Sequence, residues 1–308
     1  MTTIARQELV LSGLDGSNPL AFLAALGAFR ALNHVRPNDQ VKLRWRQAQG
    51  AWRPVLVSAP PPDDIVDALY KVCRQTCDHP TLNLADNLTI GVDDFRSHLR
   101  QQSLLPDRQA TAFAAAFGSE AIPTDNGLIS DTALRTMAGA GHQHFLKTMR
   151  TILESVTMAH LHKALFEPWR YDDPLKGMNL RLDPMDEKRY ALQWNDPSGD
   201  PTRNHSGNVL GANALAILGI PYLTVAPVGN KLQTTGFQGH LSRDCYWTWP
   251  IWNVPLSCDV VASVLTLAEL QEQKIDHEKL TPRGIVAVYR SQRITTGKFR
   301  NFTPAESV

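Results

Sequence analysis

The segment from Leu20 to Leu32 sets the first limit on what this chain can fold into. Leu20, Phe22, Leu23, Leu26, Phe29 and Leu32 recur at helical spacing and give a wide apolar stripe, which must be buried against something. The run is interrupted by Gly27 and Arg30 and falls short of the roughly 20 residues that a bilayer span needs, so it predicts a core helix. Asn18 suits the cap position, Pro19 suits the first helical turn, and Pro37, Asn38 and Asp39 end the helix.

The flanking sequence extends this into a unit. Glu8 to Leu11 reads as a strand before the helix. Val41 to Trp45 and Trp52 to Val57 read as two strands after it, joined by a loop from Arg46 to Gly50. A β-α-β-β order is therefore expected at the front. From Pro62 to about Glu154 the texture becomes helical, at Asp63 to Cys77, Asp107 to Phe117 and His142 to Glu154. His160 and His162 fall on a further helix running to Leu165, where i, i+2 positions point apart and do not share a metal.

After Trp169 the chain turns to Pro, Gly, Trp and short β-like runs: Arg189 to Trp194, Tyr222 to Val225, Trp247 to Trp252 and Ile285 to Tyr289. Two short helices, Gly211 to Leu218 and Ser257 to Leu267, lie between them, with Ser257 as a cap. The fold class is α+β: an N-terminal β-α-β-β unit, a helical middle, and a β-rich C-terminal half with a mixed or antiparallel sheet. A soft boundary near Trp169 to Pro174 divides residues 1–169 from 170–308, and one compact domain spanning both remains the alternative.

Charge is balanced overall, with 31 Lys and Arg against 30 Asp and Glu, so only its distribution can point to a polyanion. Between Lys279 and Ala305 six basic residues (Lys279, Arg283, Arg290, Arg293, Lys298, Arg300) occur with no acidic one, around Tyr289, Phe299 and Phe302. Guanidinium forks pair with phosphate oxygens, Gly297 permits close backbone approach, and the Phe rings can stack on bases. The contact candidates are Arg290, Arg293, Lys298, Arg300 and Asn301, with Arg203 and Lys231 as weaker ones. The same charges also fit a solvated chain end.

Four scattered cysteines give no disulfide framework, and Cys73, Cys77 and His79 lack a nearby fourth zinc ligand. The polar loop from Asn195 to Asn208 holds Asp196, Asp200, Arg203, Asn204 and His205; it suits a hard cation or ordinary turn chemistry. No phosphate-binding loop, nucleophile elbow or zinc-protease motif is present. The tryptophans from Trp247 to Trp252 fit strand packing better than base stacking. No metal or cofactor is expected. The opening Met-Thr-Thr-Ile-Ala-Arg-Gln-Glu lacks the layout of a secretion signal, so cytoplasmic residence with no membrane partner is expected.

Several stretches resemble a known family. Gly13-Leu-Asp-Gly-Ser-Asn-Pro-Leu-Ala-Phe-Leu-Ala-Ala-Leu-Gly-Ala-Phe-Arg-Ala-Leu32, Tyr190-Ala-Leu-Gln-Trp-Asn-Asp-Pro197, Gly211-Ala-Asn-Ala-Leu-Ala216, Trp249-Pro-Ile-Trp252 and Tyr289-Arg-Ser-Gln-Arg-Ile294 resemble small proteins of type I-G (formerly I-U) CRISPR systems, either large-subunit-like or of the helicase-nuclease-extension family. The resemblance implies a non-catalytic subunit of an RNA-guided DNA-targeting complex in antiviral defence. Its implied partners are the other effector subunits, guide RNA, target DNA and the helicase-nuclease. Function would then rest on DNA or RNA binding rather than turnover. Two alternatives stay open: a metal-dependent nuclease using the Asp196 to His205 loop, and a protein adaptor with an exposed apolar face on the Leu20 to Leu32 helix.

Overall fold

The computed structural model describes residues 8–107, 109–137, 144–174, 177–185, 207–239, 244–296 and 299–308. The expected front unit is present: β1 (Glu8–Val10), α1 (Pro19–Val35), β2 (Lys42–Ala48) and β3 (Ala51–Val57), with the strands ordered β1-β3-β2. The Asn18 side chain accepts a hydrogen bond from the Ala21 amide at 3.1 Å and Pro19 opens the helix. The loop expected from Arg46 to Gly50 is tighter than that. Pairing runs to Ala48 and Ala51, leaving a two-residue turn in which Gln49 and Gly50 have φ of 52° and 75°. Positive φ at both central positions matches the right-handed twist of the paired strands.

Helix α1 is buried from Pro19 to Phe29, so the adaptor face expected on it is covered by the chain itself. One cover is α7 (Leu210–Gly219), all of whose residues are buried. The two helices cross backbone to backbone. A Cβ on Gly27 would lie 1.8 Å from the Leu215 carbonyl oxygen, and one on Gly219 would lie 2.4 Å from that of Leu23. The other cover is aromatic. Phe22 stacks on Trp45 with ring centroids 5.6 Å apart and meets Trp247, Trp249 and Trp252 of β9 (Cys245–Trp252). The indole N–H groups of Trp249 and Trp252 donate to the carbonyls of Gly16 and Leu43, both at 2.8 Å. These contacts join the two sides of the 169/170 boundary in one hydrophobic core that runs from Leu11 to Phe302. The tryptophans are core, as their spacing suggested.

The middle is helical, with α2 (Pro62–Cys77), α3 (Val92–Ser103), α4 (Gln109–Phe117), α5 (Phe145–Ser155) and α6 (Met158–Phe166), and holds one short strand pair, β4 (Gly118–Ser119) with β5 (Ser130–Asp131). Helix α3 escaped the sequence reading, because its polar run anchors chiefly through Phe95 and His98. Beyond the middle, every strand pairing among the described residues is antiparallel. The principal sheet runs β11-β10-β9-β8, with β8 (Phe237–Gln238), β10 (Ile285–Thr296) and β11 (Phe299–Phe302). Tyr222 to Val225 is not the strand expected there. Ile220–Tyr222 forms a 3₁₀ turn, and the strand begins at Val225 in a hairpin of β6 (Val225–Val228) and β7 (Lys231–Thr234). The strand expected at residues 189–194 lies outside the described residues. Among the described residues no helix is long and apolar enough to cross a membrane.

Candidate nucleic-acid interface

A strand places alternate side chains on opposite faces, which splits the basic segment at once. Arg290 and Arg293 are three residues apart on β10 and so face opposite ways. Arg290 acts as a strap: its Nε donates to Thr248 Oγ1 at 3.0 Å, and its terminal nitrogens donate to the carbonyls of Gln273 and Glu272 at 3.0 and 2.7 Å. Lys279 and Arg283 pair at the surface with Asp276 and Glu269. The charge run is therefore not one continuous basic face.

Arg293 and Arg300 do come together. The pairing of β10 with β11 sets Arg293 opposite Phe302 and Thr295 opposite Arg300, which makes the two arginines diagonal neighbours on one face. Arg293 is only 2% exposed. Each donates to the backbone carbonyl of Arg135, Arg293 at 3.1 Å and Arg300 at 3.2 Å. Arg293 also hydrogen-bonds the thiol of Cys245, its register partner on β9. Arg135 in turn pairs through Nη2 with Asp131 Oδ2 at 2.9 Å. Its Nε is buried with no hydrogen-bond partner among the described residues. Three guanidiniums thus gather around one carboxylate.

The electrostatics record the strain of that grouping. Burial, then the charges of Arg293 and Arg135, push the Arg300 guanidinium down to about 10. Burial likewise lowers Arg293. Asp131 is raised because burial outweighs the attraction of Arg135, Arg300 and Arg293. Such a group costs stability unless an anion completes it.

A cavity of about 580 Å³ opens beside this group, lined by Asp131, Arg135 and Cys245 on one side and by the β6–β7 hairpin on the other. Lys231 lines the hairpin side and is exposed. The hairpin is held at its base, where Thr234 is buried and its Oγ1 accepts from the Ala133 amide at 2.9 Å. Asn301 points to the opposite face from Arg300 and is 6% exposed, with its Oδ1 lacking a hydrogen-bond partner among the described residues. Arg203, Lys298 and the Asp196 to His205 loop lie outside the described residues.

Sequence reasoning missed Arg135 and Asp131. Their i, i+4 spacing was visible, but a single ion pair of that kind is common on any surface and carries no signal until β10 and β11 arrive beside it.

The remaining chemical clusters are structural. Cys73 is buried and pushed up to about 12 by desolvation. The ring of His79 packs on Phe113 with centroids 5.0 Å apart, and its Nδ1 accepts from the Thr81 amide. His160 Nδ1 accepts from the Thr157 amide in a helix-capping box, while His162 lies near Glu167. Among the described residues no group of three or more His, Cys, Asp or Glu is placed to hold a metal ion. Comparison with protein-family models and with curated proteins gives no match.

Proposed function

We propose that this chain is a non-catalytic nucleic-acid-binding subunit of an RNA-guided CRISPR DNA-targeting complex, acting in cytoplasmic antiviral defence. Its partners in this reading are the other effector subunits, guide RNA, target DNA and the helicase-nuclease. The observation that supports it is the gathering of Arg135, Arg293 and Arg300 around Asp131 beside the cavity. A protein has little reason to bury cations together unless they meet an anion, and phosphate is the anion whose geometry guanidinium forks match. The family resemblance of the sequence supplies the setting. The nucleic-acid reading stands on the site, and the CRISPR assignment on the resemblance.

Binding of the purified chain to labelled single-stranded DNA, duplex DNA and RNA across a salt series tests the reading, with magnesium present to reveal cleavage. Affinity should fall steeply with salt and no product should be cut. Lys231→Ala and Arg300→Ala should each weaken binding and reduce the slope of log affinity against log salt by about 1. Salt-insensitive binding, or none, overturns the nucleic-acid reading; cut product overturns the non-catalytic one.

A further inference from the structure

The cavity beside Arg135 differs from a surface that a nucleic-acid backbone would merely cross. Its walls include the apolar Ile129, Ala133, Leu232 and Phe237 together with the amides of Asn230 and Gln233. Apolar surface with amide donors and acceptors suits an aromatic base, and about 580 Å³ lies within the range of small-ligand pockets. Phe237 is itself held in place, stacked on Trp247 with centroids 5.6 Å apart and planes 7° from parallel.

The charge at this cavity is also more than a phosphodiester needs. Arg135 is matched by Asp131, but its buried Nε has no partner among the described residues. Arg300 is not in the cavity lining but donates to the carbonyl of Arg135 and forms no ion pair among the described residues; neither does Lys231, which lines the hairpin wall. Arg135 with its orphan N–H and Lys231 line the cavity, and with Arg300 near Arg135 they outnumber the one carboxylate of Asp131, which suits a group with two negative charges and several acceptor oxygens. A phosphomonoester has that character near neutral pH, whereas each backbone phosphodiester carries a single charge.

The geometry points to a pocket for a nucleoside phosphomonoester: a phosphorylated nucleic-acid end, or a free nucleotide, with its phosphate toward Arg135 and Lys231 and its base against Ile129, Leu232 and Phe237. This deepens the nucleic-acid reading, on which it rests, by naming a terminal phosphate as the group preferred. Asp131 lines the same pocket and offsets part of its positive charge.

The test compares one single-stranded oligonucleotide with a 5′-phosphate, with a 3′-phosphate and with hydroxyl at both ends, and adds adenosine monophosphate and inorganic phosphate as competitors. A phosphorylated end should bind at least about tenfold tighter than the hydroxyl form, the order expected for added charge-assisted hydrogen bonds. The preference should fade as pH falls below about 6, where the monoester loses its second charge and a diester does not. Lys231→Ala, an exposed change that leaves the core intact, should shrink it; Asp131→Asn should enlarge it. Competition by adenosine monophosphate but not by inorganic phosphate supports use of the apolar wall, and the reverse overturns that part. Equal affinity for all three ends with salt-dependent binding retained overturns the pocket and leaves the backbone reading. Binding of adenosine monophosphate without any oligonucleotide binding supports the pocket and overturns the nucleic-acid reading.

Discussion

Two buried clusters of this molecule, one around Phe22 and one around Arg293, are opposite in cost. Around Phe22, burial removes chiefly apolar surface from water: Trp249 and Trp252 reach backbone carbonyls with their N–H groups while their rings close over α1, and Trp45 Nε1 lacks a hydrogen-bond partner among the described residues but carries no charge. Around Arg293, burial removes charge from water, lowers the basicity of two guanidiniums and leaves a donor of Arg135 without an acceptor. The first arrangement explains why the chain folds. The second opposes folding, and so marks where selection has kept something other than stability.

The contrast breaks most readily at Phe22. Phe22→Ala should destabilise the protein by about 4 kcal/mol in denaturant unfolding, because a buried ring at the centre of four aromatic contacts leaves a cavity that rigid neighbours cannot fill. A loss below about 1 kcal/mol would mean that the aromatic cluster is not the junction of the core.

At the other region the sign should reverse. Arg300→Met keeps much of the side-chain volume and removes a cation crowded by Arg293 and Arg135, so stability should rise by about 1 kcal/mol while phosphate binding weakens. A destabilised variant would show instead that the hydrogen bond from Arg300 to the Arg135 carbonyl outweighs the repulsion.

The smallest effect is on pH dependence and belongs to the helical middle. Burial lowers His98 and His79 below their ordinary value of 6.5, so the folded state prefers them neutral. Their contribution is complete above about pH 6.5 and is lost as pH falls below it. Asp131 has the opposite sign: its folded value is raised above 3.8, and acid relieves its burial. Thermal stability should therefore fall from about pH 7 to 5, and His98→Gln should flatten that slope. An unchanged slope would remove His98 from the acid response.

Much of this architecture was legible in the sequence, for local reasons. Asn18, Pro19 and the apolar spacing of α1 state its start and its buried face, and Val57, Trp52 and Trp45 mark paired strands. The Gln49-Gly50 turn was blurred into a longer loop because Gln is not a usual residue at positive φ. The hairpin of β6 and β7 leaves little apolar signal in the sequence because its strands are short and mostly exposed. The candidate site was half legible. Arg293 and Arg300 stood out as charge, but their union depends on register between β10 and β11, and Arg135 joins them across 158 residues of sequence. Arg290 belonged to the same run and went elsewhere, since three positions on a strand reverse the face.

The tryptophan cluster also fixes how the molecule responds to light. Trp45, Trp247, Trp249 and Trp252 are all fully buried, with the rings of Trp247 and Trp249 only 5.0 Å apart and those of Trp45 and Trp252 6.0 Å apart. Indoles so close exchange excitation, and indoles so dry emit at short wavelength. Because Trp45 comes from the front unit and the other three from β9, separation of the two halves would let water onto all four rings at once. The short-wavelength part of the intrinsic emission, to which the part-exposed Trp52 and Trp169 contribute less, thus reports the integrity of the central junction.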